Sequence, residues 1–186
     1  MRIIGGKFKG KKLFLPINKK TRPLKDLVKE SIFNLIENSN KYKIILKNSS
    51  VLDLFSGSGS FGLECISRGV EKIVFFENYS GVINILKKNI SSINGDKFSR
   101  IFEKNCFDLI SSDILLNHKF DIIFLDPPFK ELSINKLLDK IIEKKFLNKN
   151  GIIIIHRHKK DDSEITSKLN IIDKRFYGVS KIIFCN

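Results

Sequence analysis

From residue 51 onward, short apolar runs alternate with longer segments in which apolar residues recur every three or four positions. The short runs predict buried strands, and the periodic segments predict amphipathic helices. The predicted strands span residues 51–55, 72–77, 100–104, 121–126 and 151–157, and the predicted helices span 60–68, 79–93, 106–116 and 131–146. Strands that alternate with helices are typical of a mostly parallel sheet covered by helices on both faces.

The last two apolar runs differ, because Gly178 alone separates residues 169–177 from residues 179–185. No crossover helix fits there, so these runs predict a hairpin of the sixth and seventh strands, with antiparallel pairing. The expected fold is therefore an α/β fold with a seven-stranded mixed sheet and helices on both faces. Ligands of such sheets bind at the carboxyl ends of the parallel strands.

The N-terminal part follows another pattern. Residues 1–15 predict a β-hairpin that turns at Gly5-Gly6, and residues 24–38 predict an amphipathic helix. We expect residues 1–47 to form a small unit that packs on a larger unit, residues 48–186, which contains the predicted sheet.

Charge is concentrated in this N-terminal unit. The chain has 186 residues and a formal net charge of +14, and residues 1–47 carry 13 basic but only 3 acidic side chains. A basic segment on a nearly neutral body favours a polyanion as partner, with nucleic acid preferred over a membrane surface. In the predicted hairpin, the two-residue strand period places Lys7, Lys9 and Lys11 on one face.

The cysteines and the lengths of the apolar runs exclude several classes. Cys65, Cys106 and Cys185 lie far apart, with no partner at metal-ligand spacing, which argues against a disulfide scaffold or a metal site. No apolar run reaches the ~18 residues of a membrane span, and the N-terminus lacks a signal-peptide core. We expect a cytoplasmic, metal-free monomer that does not bind membranes.

A glycine-rich loop follows the first strand of the predicted sheet. Gly57, Gly59 and Gly62 match the GxGxxG pattern, and Glu77 ends the next strand. This arrangement fits a dinucleotide site, a ligand-free turn, or a site for S-adenosylmethionine. Asp53 favours S-adenosylmethionine, because a carboxylate beside the loop repels a pyrophosphate and attracts the donor's α-ammonium group. Glu77 is then placed to accept hydrogen bonds from the ribose.

The fourth strand ends in a second motif, Asp126-Pro127-Pro128-Phe129. The prolines end the strand, which places the Asp126 carboxylate at the rim of the sheet. A plain strand-ending turn with Phe129 in the core is the simpler interpretation. However, the Asp126 carboxylate and the Pro127 carbonyl are suited to accept both N–H groups of a base amino nitrogen. Phe129 offers a face on which that base stacks.

These two motifs and three further blocks resemble the bacterial small-subunit ribosomal RNA guanine-N2 methyltransferase family, which has the Rossmann-like class I methyltransferase fold. The further blocks are Arg2-Ile3-Ile4-Gly5-Gly6, Thr21-Arg22-Pro23 and Ser67-Arg68-Gly69. The resemblance implies methyl transfer from S-adenosylmethionine to N2 of one guanine in 16S ribosomal RNA, within the small subunit or its assembly intermediate.

The resemblance also implies roles for individual residues. Residues implied in cofactor binding are Asp53, Phe55, Ser56, Gly57, Ser58, Gly59, Glu77, Asn105 and Cys106. Residues Asp126, Pro127, Pro128 and Phe129 are implied in binding the target amino group, and Arg2, Lys7, Lys9, Lys11 and Arg22 in binding RNA. The chain departs from the family pattern at Asn105, where an aspartate is usual, and at Leu24, where a threonine is usual.

Two other functions remain open from the sequence. DNA adenine-N6 methyltransferases share the Asp126–Phe129 motif, although a chain of 186 residues leaves little room for a target-recognition insertion. A non-catalytic RNA-binding assembly factor is the other alternative. His156 and His158 lie two residues apart at the end of the fifth strand, and the sequence favours a solvated strand end for both.

Overall fold

The computed structural model describes residues 1–16, 24–42, 44–110, 115 and 117–186. Its strands are β1 (Ser50–Leu54), β2 (Lys72–Phe76), β3 (Ser99–Phe102), β4 (Phe120–Leu125), β5 (Leu147–His158), β6 (Ile171–Tyr177) and β7 (Ser180–Cys185). In the described residues these strands form one sheet in the order β3-β2-β1-β4-β5-β7-β6. Strands β1 to β5 are parallel, and β7 runs antiparallel between β5 and β6. The predicted seven-stranded mixed sheet is confirmed.

Four α-helices cover the sheet within the described ranges. They are α1 (Asp26–Asn38), α2 (Ser60–Ser67), α3 (Ser80–Ser91) and α4 (Ile134–Glu143). Helices α1 to α3 pack on one face, where Phe61 stacks between Phe33 and Phe124 at ring distances of 5.2 and 4.0 Å. Helix α4 packs on the other face. None of the described helices combines the length and apolarity that crossing a bilayer requires.

The helix predicted over residues 106–116 is wrong in its described part, which is a short 3-10 segment, Cys106–Ile110. Residues 111–114 and 116 of that prediction lie outside the described residues. An asparagine side chain starts the segment, because Asn105 Oδ1 accepts a hydrogen bond from the Phe107 N–H at 3.1 Å.

The predicted N-terminal hairpin is reduced to a single antiparallel bridge between Arg2 and Lys12. Residues 5–10 form a wide turn. The sequence pattern predicted that strand alternation would place Lys7 and Lys9 on one face, and this prediction is wrong because neither residue lies in a strand. The turn bonds to helix α2 as well as across itself, where the Gly10 N–H donates to the Ile3 carbonyl at 2.8 Å. The N–H groups of Lys7 and Phe8 donate to the carbonyl and hydroxyl of Ser67, at 2.7 and 2.9 Å.

A buried carboxylate, Glu64 of α2, joins the N-terminal segment to the body of the protein. It accepts hydrogen bonds from the N–H groups of Ile4 and Gly5, at 2.8 and 2.7 Å, and from Arg68 Nε at 3.0 Å. The buried ammonium of Lys29 on α1 lies 3.6 Å from the same carboxylate. Burial lowers the pKa of Lys29, and the charge of Glu64 opposes that effect. The N-terminal turn, α1 and α2 therefore form one packed unit over the sheet.

Candidate active site

A cleft of about 350 Å³ opens at the carboxyl ends of the central parallel strands. The residues that follow β1 and β2 line one side, and the residues that follow β4 line the other. The predicted site residues in its wall are Asp53, Phe55, Ser56, Gly57, Ser58, Glu77, Asp126, Pro127, Pro128 and Phe129. Leu24, which precedes α1, also lines the cleft. Both sequence motifs therefore meet in one cavity.

The glycine loop turns sharply because several of its residues adopt left-handed backbone conformations. Gly57 and Gly59 have φ values of 55° and 86°, and Phe55 has a φ of 63°, which is strained for an aromatic residue. The Ser56 hydroxyl donates to the Asp53 carbonyl at 2.7 Å, and the Gly57 N–H donates to Glu77 Oε2 at 2.7 Å. The loop is thus held by its neighbours in a single shape.

Gly62, the last glycine of the pattern, serves packing. A Cβ atom at this position would lie 2.2 Å from Cε1 of Phe75 on β2, so only glycine lets α2 approach the sheet this closely. The close approach brings the Gly62 N–H within 3.1 Å of Asp53 Oδ2, to which it donates a hydrogen bond.

Asp53 is the most buried acid of the cleft, with a relative exposure of 1%. Burial raises the pKa of its carboxyl well above the ordinary value. The hydrogen bond from Gly62 opposes this rise, and the nearby charges of Asp126 and Glu77 add to it. Keeping a negative charge on the buried Asp53 carboxyl costs free energy in the cofactor-free protein. A cation that binds beside it offsets that cost.

Glu77 is held by three backbone N–H groups. Gly57 donates to Oε2, and Asn78 and Tyr79 donate to Oε1 at 2.9 and 2.8 Å. These bonds fix the carboxylate at the boundary between the main cleft and a smaller cavity of about 190 Å³.

The smaller cavity continues the cleft past Phe55 and Glu77. Asn105, Cys106 and Phe107 line it, and the Phe55 and Phe107 rings meet edge to face at a centroid distance of 6.0 Å. Cys106 is buried, and that burial raises the pKa of its thiol. The two predicted residues after β3 therefore lie in an extension of the cleft, where the aromatic rings in the wall suit a flat aromatic group.

Behind Asp126, and outside the residues that line the cleft, lies a histidine whose surroundings differ from the prediction. His156 is 2% exposed and its Nδ1 lies 2.8 Å from Asp126 Oδ1, so the predicted solvated strand end is wrong for this histidine. His158 is half-buried, and its ring meets the Phe129 ring edge to face at 4.9 Å. Burial of His156 depends on the pairing of β5 with β7, which no local pattern around residue 156 reveals.

The predicted RNA-binding residues that the structure describes do not line the cleft. Lys7, Lys9 and Lys11 are exposed, as is Arg2, whose guanidinium lies 3.8 Å from Asp26. The turn that carries Lys7 is bonded to the last residue of α2, about 10 Å along that helix from the glycine loop at ~1.5 Å per residue. Arg22 lies outside the described residues.

Asn89, on α3, connects the N-terminal segment directly to the glycine loop. It is fully buried, and its Nδ2 donates to the carbonyls of Ser58 and Phe14 at 2.9 and 3.1 Å. Its Oδ1 accepts from the Phe14 N–H at 2.7 Å. The Asn89 side chain therefore joins Phe14 to the glycine loop that faces the cleft.

Asn89→Asp should destabilise the protein strongly, because a carboxylate oxygen would then face two carbonyl oxygens in the core. We expect a loss of about 3 kcal/mol in the free energy of unfolding and a melting temperature lower by about 6–12 °C. Thermal unfolding followed by circular dichroism measures the change. Asn94→Asp, a substitution in the turn after α3, is the matched control. An unchanged melting temperature for Asn89→Asp would contradict the bridging role.

Comparison with known proteins places this geometry in a family. A family model described as "Conserved hypothetical protein 95" matches residues 1–186. The chain belongs to this family. Among its relatives, YlbH of Bacillus subtilis is 33% identical over 183 residues, which cover 98% of this chain and 96% of that protein. The Haemophilus influenzae protein named Ribosomal RNA small subunit methyltransferase D is 32% identical over 160 residues, 86% of this chain and 79% of that protein.

Solved structures of related proteins have the same fold. The structure of HI0767 from Haemophilus influenzae is 28% identical, with a TM-score of 0.78, and the match covers 100% of this chain and 97% of that one. This chain therefore has the Rossmann-like class I methyltransferase fold, and the family resemblance seen in its sequence is confirmed.

Proposed function

We propose that this protein transfers a methyl group from S-adenosylmethionine to the exocyclic N2 of a guanine in 16S ribosomal RNA. One observation carries the proposal: the carboxylates of Asp53 and Asp126 line the same cleft, one beside the glycine loop and the other in the Asp126–Phe129 motif. The first is placed for a cationic cofactor, and the second for a base amino group.

The residues of the cleft fit S-adenosylmethionine better than a phosphate-bearing cofactor. Asp53, Glu77 and Asp126 are acidic, and no lysine, arginine or histidine is among the described residues that line the main cleft, although Lys104 lines the smaller cavity. Asp53 would bind the α-ammonium group, Glu77 the ribose hydroxyls, and the smaller cavity with Asn105 the adenine. When bound, S-adenosylmethionine supplies a methyl group activated by a positive sulfonium.

The residues after β4 prepare the target nitrogen. The lone pair of a base amino group is delocalised into the ring, which makes the nitrogen a poor nucleophile. The Asp126 carboxylate and the Pro127 carbonyl accept its two N–H groups and bias it towards a tetrahedral shape, with the lone pair aimed at the methyl carbon. Once methylated, the nitrogen would be cationic and acidic, and the Asp126 carboxylate would already hold its proton in a hydrogen bond.

Charge and the relatives' names support ribosomal RNA as the substrate. Several relatives are named Ribosomal RNA small subunit methyltransferase D, including one from Buchnera aphidicola that is 30% identical over 182 residues. We assign contacts with RNA outside the target base to the exposed basic residues of the N-terminal segment, Arg2, Lys7, Lys9 and Lys11, and to Arg22. DNA adenine-N6 methylation and a non-catalytic assembly role are the alternatives.

Incubation with labelled S-adenosylmethionine and small subunits from a strain that lacks the methylase tests the proposal. Nucleoside mass spectrometry should then find N2-methylguanosine in 16S RNA and no labelled product on duplex DNA. N6-methyladenosine in DNA would replace the proposal with the first alternative. Cofactor binding without methyl transfer to any of these substrates would replace it with the second.

A further inference from the structure

A buried chain of hydrogen bonds runs away from the catalytic carboxylate into the sheet. His156 Nδ1 lies 2.8 Å from Asp126 Oδ1, and His156 Nε2 lies 2.8 Å from the Ser180 hydroxyl oxygen. His156 and Ser180 are 2% and 3% exposed. Both nitrogens of the histidine ring are therefore bonded to protein atoms inside the fold, and one of them is bonded to the group that we place on the target nitrogen.

The register of the sheet accounts for this chain. Leu125 on β4 pairs with Ile155 on β5, so the next residues of the two strands, Asp126 and His156, lie side by side. Strand β7 runs antiparallel to β5 and pairs Ser180 with His158, which brings the serine hydroxyl to the far side of the His156 ring. Three neighbouring strands thus bring one residue each to a polar row that leads from the cleft into the sheet.

An ionised Asp126 determines which ring nitrogen of His156 carries hydrogen. A carboxylate oxygen can only accept a hydrogen bond, so Nδ1 must be protonated at a separation of 2.8 Å. The hydroxyl of Ser180 can donate to Nε2, which satisfies the second nitrogen without a further proton. In this arrangement the Asp126 carboxylate selects the ring tautomer, and the Ser180 hydroxyl, which can donate or accept, holds the far side of the ring.

We propose that His156 is a positioning residue for methyl transfer, and that the Ser180 hydroxyl holds its ring in place. This inference rests on the proposed function, since it assigns His156 a role through Asp126. The Asp126 side chain lies just beyond the last residue of β4, so hydrogen bonds to its oxygens set the rotation of the carboxylate. The Nδ1–H bond to Oδ1 fixes the plane of the carboxylate, so that its acceptor orbitals face the amino group in one orientation.

Two amide substitutions separate positioning from simple filling of space. An asparagine at position 156 places its Nδ2 where the histidine has Nδ1, the same number of bonds from the backbone. A glutamine places its Nε2 near the position of the histidine Nε2. His156→Asn therefore keeps the donor to Asp126 and loses the contact with Ser180, whereas His156→Gln keeps the contact with Ser180 and loses the donor.

Steady-state kinetics with small subunits should show this difference. We expect His156→Gln to lower kcat by about 10–100-fold, in the range that orienting groups of active sites show, with KM unchanged. His156→Asn should recover kcat to within a few-fold of the wild type. Ser180→Ala should lie between them, because the ring then loses the hydrogen bond that holds its far side. His118→Gln, at the opposite end of β4, is the matched control, with unchanged kcat.

Nitrogen-15 NMR of histidine-labelled protein tests the tautomer without an activity assay. The chain contains only three histidines, so their signals are readily assigned. Protonated Nδ1 in His156, with a chemical shift that changes in Asp126→Ala, is the expected result. Unprotonated Nδ1 at neutral pH would overturn the inference, even if one of the kinetic variants failed to fold.

The kinetic outcomes also separate this inference from the proposed function. If Asp126→Ala is inactive but His156→Gln keeps wild-type kcat, the positioning role is wrong and the proposed function stands. If His156→Asn and His156→Gln lose activity equally, the donor to Asp126 is not what matters, which also overturns the inference. If Asp126→Ala itself retains full activity, the proposed function fails and His156 loses its assigned role with it.

Discussion

Asp126→Ala is expected to lower kcat for methyl transfer by a factor of about 10²–10³, the usual cost of removing one preorganised polar group from a reacting centre. The substitution removes the carboxylate that we propose accepts one target N–H, so the Pro127 carbonyl is left as one acceptor for two N–H groups. The amino lone pair then stays conjugated with the base. Primer extension across the modified guanine, or label incorporation into small subunits, measures the loss.

Cofactor affinity separates this effect from general damage to the site. Asp126 lies across the cleft from the glycine loop, so calorimetry should give a Kd for S-adenosylmethionine within a few-fold of the wild type, the small change reflecting one negative charge fewer in the cleft. Asp162→Ala, a loss of an exposed aspartate in the loop after β5, is the matched control and should retain full activity. Wild-type methylation by Asp126→Ala would remove Asp126 from the mechanism, whatever the Kd.

Much of the fold was predictable because burial in a parallel sheet leaves a strong local signal. Strands β1, β2 and β4 are almost entirely buried, and each stands in the sequence as a short apolar run. Their predicted bounds agree with the structure to within one residue. The glycine loop and the Asp126–Phe129 motif were predictable for a related reason, since both follow directly from the end of such a strand.

The N-terminal hairpin was less predictable because several of its hydrogen bonds reach residues far away in the chain. The turn at residues 5–10 bonds to Glu64 and Ser67, about sixty residues away in the chain, in addition to the bonds that close it locally. The local pattern of glycines and lysines predicts only a tight turn. It contains no information about the buried carboxylate of Glu64 on α2, to which the turn bonds.

The environment of His156 could not be predicted for the same reason. A histidine at the end of a strand is more exposed when that strand lies at an edge of the sheet, and more buried when another strand pairs with it. Here β7 pairs with β5, and β7 also provides Ser180. The chemistry at Asp126 therefore depends on a hairpin that begins more than forty residues after it.

Asp53→Asn is expected to weaken S-adenosylmethionine binding and to stabilise the cofactor-free protein. Removing one partner of a buried charge pair costs about 2 kcal/mol or more, which is a factor of ~30 in Kd. The asparagine side chain keeps an oxygen that accepts from the Gly62 N–H, so the start of α2 retains its hydrogen bond. Asp121→Asn, at the opposite end of the sheet, is the matched control for calorimetry and should leave Kd unchanged.

The pH dependence of stability gives the same variant a second, independent readout. Because burial raises the pKa of Asp53 above its ordinary value of 3.8, the folded cofactor-free protein holds this proton more tightly than the unfolded chain. The resulting stabilisation is complete below the unfolded value and is lost as the pH rises through the folded value. The amide introduced by Asp53→Asn does not titrate and carries no buried charge. The variant should therefore unfold at a higher temperature than the wild type near neutral pH, by about 2–4 °C for each kcal/mol that the buried charge costs the wild type. Equal melting temperatures together with an equal Kd would show that Asp53 carries neither the electrostatic cost nor the ammonium group, and a lower melting temperature would show that its carboxylate stabilises the cofactor-free fold.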